Sequence, residues 1–254
     1  MARGRRREGD RGAGRARWRG TVALLLLLGV LGGWLPAARV ARADGCVVIN
    51  GNDGGPGSLR AALGNTDGFE NCDAITFDFG PTPQPWVVEL TSETLGIGRS
   101  VTLTGPGADK LTIRRSAAPA TPEFRLFFLT AGDVAISGLT IAGGRVDGNG
   151  AGLAAANAAT TLSLRDGVVT DNHAAYYGGG IAINYGARAT IEDSTIDANT
   201  AYVGAGLIVW GGAVVTLRGS LVAGNSAYQS GGIDTAAAGV LDLIDSVITG
   251  NDST

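Results

Sequence analysis

The chain has few residues of the kinds that build metal, redox and thiol sites. Its 254 residues include one histidine (His173), one methionine and two cysteines, and no pair of cysteines stands in a CxxC spacing. A protein zinc site normally needs three or four Cys, His or carboxylate ligands, so the sequence predicts no metal site and no cofactor. Long apolar runs are also missing, since the longest, Val22 to Leu35, covers about 14 residues and a bilayer span needs about 20.

Arginine is concentrated ahead of that apolar run. Residues 1–20 contain eight arginines, and the run is followed by Pro36 and by the triplet Ala41-Arg42-Ala43. A basic segment, a short apolar core and an A-x-A site are the parts of a secretory signal peptide. The sequence therefore predicts a signal peptide over residues 1–43, cleaved after Ala43. An uncleaved membrane anchor is the alternative.

Basic residues are scarce beyond the predicted cleavage site. Residues 1–43 carry a net charge of +8 and the whole chain carries −3, so residues 44–254 carry −11. An acidic domain has no basic patch that would follow a phosphate backbone. The sequence therefore argues against a nucleic-acid partner. It predicts a secreted or cell-surface protein, extracellular or associated with the outer membrane, with no membrane span after signal removal.

The two cysteines, Cys46 and Cys72, both follow the predicted signal peptide. In an oxidising compartment an even pair favours a disulfide. The bridge would close a loop of about 26 residues and stabilise the fold by about 3 kcal/mol in the chain-entropy model. Two free buried thiols are the alternative.

A repeat of about 26 residues organises the rest of the chain. Five segments of equal length align without a gap, and their starts are about 26 to 28 residues apart. The segments are Val134–Gly144, Leu162–Asn172, Ala189–Asn199, Val215–Asn225 and Leu241–Asn251. Apolar residues at positions 1 and 3 predict a short strand with one inward face. Gly or Asp at position 5 predicts a bend, and an apolar position 8 predicts a second strand.

Position 11, the last of each segment, is asparagine in four of the five. Asparagine tolerates the left-handed conformation, and its amide can bond to the backbone. Amides stacked one rung apart, about 4.8 Å, can also bond to each other, so the sequence predicts a structural ladder. Its members are Asn172, Asn199, Asn225 and Asn251.

A third strand that begins with glycine precedes each of the last three segments. It starts at Gly180, Gly206 and Gly232, which recur at the period of the repeat. Three short strands per repeat predict an all-β, single-stranded, right-handed parallel β-helix of about six to seven rungs. An antiparallel sandwich would not need residue types to recur at a constant offset. Residues 44–100 are predicted to form an N-terminal cap and first rung, with a short helix capped by Ser58, and 101–254 the β-helix repeats.

Several motifs resemble known bacterial surface proteins. The segments Asn52–Leu63, Asp73–Phe77 and Gly105–Ala108 resemble the N-terminal region of CSLREA-type proteins. Gly178–Ile181 and Asn199–Ala201 are similar to the repeats of polymorphic outer-membrane and other pectin-lyase-like repeat proteins. The resemblance covers nearly all of residues 46–254 and implies the β-helix fold and export. That fold carries enzymes, adhesins and proteins of no known role, so the resemblance alone implies no activity.

The chain lacks the motifs of the enzymes that share this fold. β-Helical polygalacturonases use NTD, DD and GHG segments to supply paired carboxylates. Here Asn65-Thr66-Asp67 matches the first segment in an N-terminal loop, and neither Asp-Asp nor His-Gly occurs. The predicted outward residues of the third strand carry one charge; they are Ala182, Asn184, Ile208, Trp210, Asp234 and Ala236. The sequence therefore predicts no catalytic residue, and His173 is interpreted as a solvent-facing turn residue.

Tyrosines recur on one predicted edge of the β-helix. Tyr176, Tyr202 and Tyr228 follow one another at the period of the repeat, so they are predicted to stack. With Tyr185, Trp210 and Asp234 they form a candidate strip for sugar rings, and ring stacking that stiffens the structure is the alternative. The sequence thus favours a non-catalytic surface protein that binds a polysaccharide or another envelope component. A polysaccharide lyase or glycoside hydrolase is the alternative.

Overall fold

The computed structural model describes residues 45–64 and 72–254. These residues wind into an all-β parallel solenoid of about seven rungs, with about 27 residues per rung and 2% helix. The predicted parallel β-helix is confirmed. The predicted signal peptide over 1–43 and the Asn65–Asp67 motif lie outside the described residues and stay predictions.

A complete rung contributes one strand to each of four parallel sheets, which are numbered here in the order in which the chain passes through them. Sheet 1 contains Gly45–Val48, Ala74–Phe77, Val101–Thr104, Gly132–Ser137, Thr160–Arg165, Arg188–Glu192, Val214–Arg218 and Val240–Ile244. Sheet 2 contains Trp86–Leu90, Leu111–Arg115, Thr140–Ala142, Val168–Thr170, Thr195–Asp197, Leu221–Ala223 and Val247–Thr249.

The other two sheets complete each rung. Sheet 3 contains Arg145–Val146, His173–Ala174, Thr200–Val203, Ser226–Gln229 and Asp252–Ser253. Sheet 4 contains Leu95–Ile97, Phe127–Leu129, Leu153–Ala156, Ile181–Asn184, Leu207–Trp210 and Ile233–Ala236. Three strands per rung were predicted. Sheet 3 is a fourth, and its strands directly follow the positions of the ladder asparagines.

The predicted apolar positions stack into one core. Leu164 pairs with Ile136 and Ile191, and Leu217 pairs with Ile191 and Leu243. The first four of these five side chains are at most 1% exposed, whereas Leu243 in the last described rung is 50% exposed. Each fully buried aliphatic side chain stabilises the fold by about 1.5–3 kcal/mol. The inward file is therefore the main source of stability.

Two left-handed residues bend each repeat segment. The first is at position 5, as predicted, with φ between 49° and 62°; these residues are Gly138, Asp166, Asp193, Gly219 and Asp245. The second is at position 10, with φ between 51° and 72°; these are Gly143, Asp171, Ala198, Gly224 and Gly250. The ladder asparagine at position 11 was predicted to tolerate this conformation itself. The residue before it adopts it instead, and the asparagine supplies hydrogen bonds.

The four asparagines form a continuous ladder of amides. Asn172 Nδ2 donates to Asn199 Oδ1 at 3.0 Å, and Asn199 Nδ2 donates to Asn225 Oδ1 at 3.0 Å. Asn225 Nδ2 continues the ladder to Asn251 Oδ1 at 2.9 Å. Each acceptor oxygen also receives the backbone N–H of the preceding ladder residue. Buried amides need such partners, and here every rung supplies them to the next.

A second ladder, which the sequence analysis did not predict, is made of serines. The hydroxyl oxygens of Ser194, Ser220 and Ser246 accept the backbone N–H groups of Gly167, Ser194 and Ser220 at 3.1–3.2 Å. The serines follow the left-handed residues at position 5. Both bends of a repeat segment are thus tied to the next rung by side chains.

The N-terminal cap is built around a buried arginine. The helix Leu59–Ala62 begins at Ser58, whose hydroxyl accepts the N–H of Ala61 at 3.2 Å, as predicted for its N-cap. Arg60 is 3% exposed. Its guanidinium contacts Asp53 Oδ1 at 2.6 Å and the carbonyl oxygen of Glu93 at 2.7 Å. The arginine therefore joins the helix to the chain on either side of it.

The cysteine pair closes the same region. Cys46 and Cys72 form a disulfide with a Cα–Cα distance of 5.8 Å, within the usual range for such bridges. The predicted bridge is therefore present, and it links the first strand of sheet 1 to the chain just ahead of the second.

Candidate functional site

A groove lies between sheet 3 and the outer face of sheet 4. It has a volume of about 310 Å³ and is called the aromatic groove below. Sheet 4 contributes Asn184, Trp210 and Asp234, and the opposite wall contains Tyr177, Tyr202 and Gln229. Ligand sites are typically concave and mostly apolar, with a few polar groups that orient the ligand. This groove is concave, and its rings lie beside polar side chains that include Asn184, Gln229 and Asp234.

Two glycines bring one wall close to sheet 4. A Cβ added to Gly150 would lie 2.8 Å from the Ala154 methyl group, and one added to Gly178 would lie 2.6 Å from Ile208 Cγ2. Both glycines have positive φ, 63° and 60°. Only a residue without a side chain fits such a close approach. The backbone at Gly150 and Gly178 therefore covers the outer face of sheet 4 beside Ala154 and Ile208.

This cover changes the environment of the predicted outward residues. Ala182, Asn184 and Ile208 point away from the solenoid core, but they are 0%, 6% and 3% exposed. Ala154, Ala182 and Ile208 form a small second cluster, against which Phe128 and Trp210 pack. Towards the last rung, Trp210, Asp234 and Ala236 form the open part of the groove. The outward file is thus partly a second core and partly the open floor of the groove.

Aromatic rings surround the open part of the groove. Tyr177 stacks towards Trp210, with ring centroids 6.4 Å apart and an interplanar angle of 26°. Tyr185 meets Trp210 edge-on at 5.2 Å, and Tyr202 stacks on Tyr228 at 5.0 Å. Tyr202, Trp210 and Asp234, all named by the sequence analysis, line the groove, and Tyr185 and Tyr228 contact lining rings.

Tyr176 departs from the predicted stack, because its ring contacts Tyr177 at 6.5 Å. The ladder residues Asn172 and Asn199 are 27 residues apart, whereas Tyr177 bridges Val203, a partner that is one position closer along the chain. One extra residue therefore lies between Asn172 and Tyr177. At this bridge the offset is 26 residues, so the backbone of Tyr176 keeps the predicted register with Tyr202, but the Tyr176 ring contacts Tyr177, which lines the groove.

Asn184 has a buried side chain without a partner. The residue is 6% exposed, and within the described chain its amide makes no hydrogen bond, although it lines the groove. It pairs in register with Trp210, one rung along. Its amide atoms open into the groove, where they can donate to and accept from a polar group.

Asp234 is the one carboxylate that lines the described groove. Its Oδ2 accepts a hydrogen bond from the Ser230 hydroxyl at 2.7 Å. Glycoside hydrolysis requires two carboxyl groups that flank the bond, and the lining residues offer one. The groove thus offers ring stacking, hydrogen bonding and one carboxylate.

His173 lies in a sheet 3 strand, and the predicted turn is wrong. The residue pairs with Arg145 and Thr200 on the adjacent strands, and its Nδ1 lies 2.8 Å from the Thr200 hydroxyl. Burial and the Arg145 guanidinium lower the pKa of His173, and Glu123 opposes them by raising it. The neutral imidazole is therefore the form that the fold favours.

Acidification from about pH 7.5 to about pH 5.5 is expected to lower the urea midpoint of unfolding. The unfolded imidazole, with an ordinary pKa of 6.5, takes up a proton more readily than the folded one. This contribution to stability is complete above about pH 6.5 and is lost as the pH falls through the lower folded pKa. His173→Gln should flatten the dependence, since the chain has one histidine. An unchanged dependence in this variant would contradict the assignment.

The described residues offer neither a metal site nor a membrane helix. They contain no group of three or more His, Cys, Asp or Glu placed to hold a metal ion. Among the same residues, no helix is both long and apolar enough to cross a bilayer.

Comparison of the chain with protein-family models, with curated proteins and with solved structures found no match. The resemblance to CSLREA-type and polymorphic outer-membrane proteins therefore stays a prediction, and the parallel solenoid itself is what the structure shows.

Proposed function

We propose that this chain is an exported surface protein that binds a glycan in the aromatic groove without cleaving it. The observation that carries the proposal is the Asn184 amide, which makes no hydrogen bond to the described residues and opens into the groove beside the rings of Trp210 and Tyr177. A sugar has apolar C–H faces that stack on aromatic rings and hydroxyl groups that bond to amides. One ligand class thus satisfies both features.

The dimensions of the groove suit a short stretch of glycan. Asn184, Trp210 and Ala236 lie on successive strands of sheet 4. At a spacing of about 4.8 Å they extend about 10 Å along the solenoid axis. Tyr202 and Gln229 form the opposite wall. A linear oligosaccharide lying along the axis would meet each of these groups in turn.

Export is supported by the bridge between Cys46 and Cys72. Disulfides persist in extracellular and periplasmic proteins and are rare in the reducing cytosol. The basic, apolar and A-x-A segments of residues 1–43 agree with that compartment. A surface location would also place the groove where external glycans occur.

Trp210→Ala is expected to weaken glycan binding at least about tenfold, which corresponds to about 1.4 kcal/mol, because a central Trp usually dominates a binding site. Asn184→Ala should also weaken glycan binding, and Trp210→Phe should retain part of the affinity. A glycan array followed by isothermal titration of the best ligand measures the effects.

Val247→Ala is the matched control, since Val247 is 55% exposed on sheet 2 and should bind like the parent chain. Equal affinities of the parent chain and Trp210→Ala would refute the site. Product release from a polysaccharide that disappears in Asp234→Asn would refute the non-catalytic assignment.

A further inference from the structure

The charge in the aromatic groove is of one sign. Asp234 is the ionisable acid among the residues that line it, and no lysine or arginine lines it in the described chain. Asp234 also forms no ion pair with another described residue. A uronic acid or sulfated sugar would therefore place its negative charge near a carboxylate with no cation to offset it. Anionic polysaccharides are poor ligands for such a site.

One oxygen of the Asp234 carboxylate is hydrogen-bonded within the described chain, and the other is not. Ser230 donates to Oδ2 at 2.7 Å, and Oδ1 makes no hydrogen bond to any described residue. Asp234 pairs with Ile208, and Ala236, two residues on, pairs with Trp210. Asp234 and Trp210 are therefore diagonal neighbours on adjacent strands. The strand spacing and the rise per residue place their Cα atoms about 8 Å apart. One sugar ring fits between such a carboxylate and such an indole.

Aromatic faces add to the preference for positive charge. The π faces of Trp and Tyr attract cations within about 6 Å of the ring centroid. Trp210, Tyr177 and Tyr202 line the same groove as Asp234. A carboxylate and three π systems together form a negative environment, whereas Asn184 and Gln229 supply neutral hydrogen-bonding groups for hydroxyls.

We infer that the aromatic groove selects an amino sugar in its protonated, ammonium form over neutral and anionic sugars. The ammonium group bonds to Asp234 Oδ1, and the adjacent ring lies against Trp210. The inference rests on the proposed glycan-binding function, since it names the ligand class for the same groove.

Glucosamine, N-acetylglucosamine and galacturonate oligomers of equal length test the inference by isothermal titration, at low salt and a pH that keeps the amine protonated. The parent chain is expected to bind the glucosamine oligomer at least about tenfold more tightly than the N-acetylated one. Asp234→Asn should abolish this preference, because the glucosamine oligomer loses its charged partner and binds no more tightly than the N-acetylated one. Asp242→Asn, a change on sheet 1, is the matched control and should keep the preference.

Trp210→Ala separates failure of the inference from failure of the proposed function. If the N-acetylated oligomer binds as tightly as glucosamine and Trp210→Ala weakens both, the glycan site stands and the amino-sugar preference is wrong. The amino-sugar proposal alone is also overturned if Asp234→Asn still binds glucosamine more tightly than the N-acetylated oligomer. Tighter binding of the galacturonate oligomer would overturn it as well. If no oligomer binds, both are wrong. Circular dichroism of each variant checks that the solenoid is intact.

Discussion

Asn199→Ala is expected to lower the free energy of unfolding by about 3 kcal/mol. The Asn199 side chain is fully buried. Its oxygen accepts the Asn172 backbone N–H and amide, and its nitrogen donates to Val169 O at 2.9 Å and to Asn225. Alanine leaves the buried Asn172 N–H without its acceptor and removes one donor to the Val169 carbonyl, and a buried group left without a partner costs about 1–3 kcal/mol. Urea denaturation measures the change as a lower midpoint at constant slope.

Two further variants test whether the hydrogen bonds, and not packing alone, carry this effect. Asn251→Ala, at a partly exposed end of the ladder, should cost less than Asn199→Ala. Asn199→Asp keeps the shape of the side chain but loses its donor, so it should also destabilise at neutral pH. It should regain stability as the pH falls, because a protonated carboxyl group can donate again. A loss below about 0.5 kcal/mol for Asn199→Ala would mean that the ladder is dispensable.

Arg60→Met is expected to destabilise the N-terminal cap by about 3–5 kcal/mol, the usual cost of removing one partner of a buried ion pair. The Arg60 and Asp53 side chains are 4% and 15% exposed. Methionine retains the apolar stem but gives up the bonds to Asp53, Glu93 O and Thr94 O. Urea denaturation of the parent chain, Arg60→Met, Asp53→Asn and the double variant measures the coupling between the two residues.

The pH dependence of the stability of Arg60→Met provides a second measurement. Burial raises the pKa of Asp53, but hydrogen bonds from Ser92, Arg60 and Thr91 and the charge of Arg60 outweigh it, so the pKa is lowered below its ordinary 3.8. Ionised Asp53 therefore contributes stability above about pH 3.8 that is lost as the pH falls through the folded pKa. In Arg60→Met the burial is less opposed, so this loss should begin at a higher pH. Identical acid unfolding curves would contradict the role of Arg60.

The solenoid was predictable because its core depends on residue types that recur at a fixed offset. Ile136, Leu164, Ile191 and Leu217 occupy equivalent repeat positions and do stack in one buried file. Parallel in-register stacking is the arrangement that buries such a file from rung to rung. The ladder asparagines were predictable for the same reason.

Sheet 3 and the complete groove were not predictable in this way. The strands of sheet 3 contain two to four residues and lack the alternation of apolar and polar residues that reveals a strand. Tyr177 lines the groove and contacts Tyr176, although it has no counterpart in the regular file of tyrosines. The burial of Asn184 depends on a wall that glycines allow to approach sheet 4, which is a tertiary contact. A period alone contains none of this information.

The one-residue shift beside Tyr177 shows where this architecture tolerates variation in length. The path from Asn172 to Ile181 is nine residues, whereas those from Asn199 to Leu207 and from Asn225 to Ile233 are eight. In the same rungs the paths from Ile183 to Ile191 and from Val209 to Leu217 are both eight. Insertions at the groove wall therefore leave both ladders in register. A change of length in this wall can therefore reshape the groove without disturbing the scaffold that supports it.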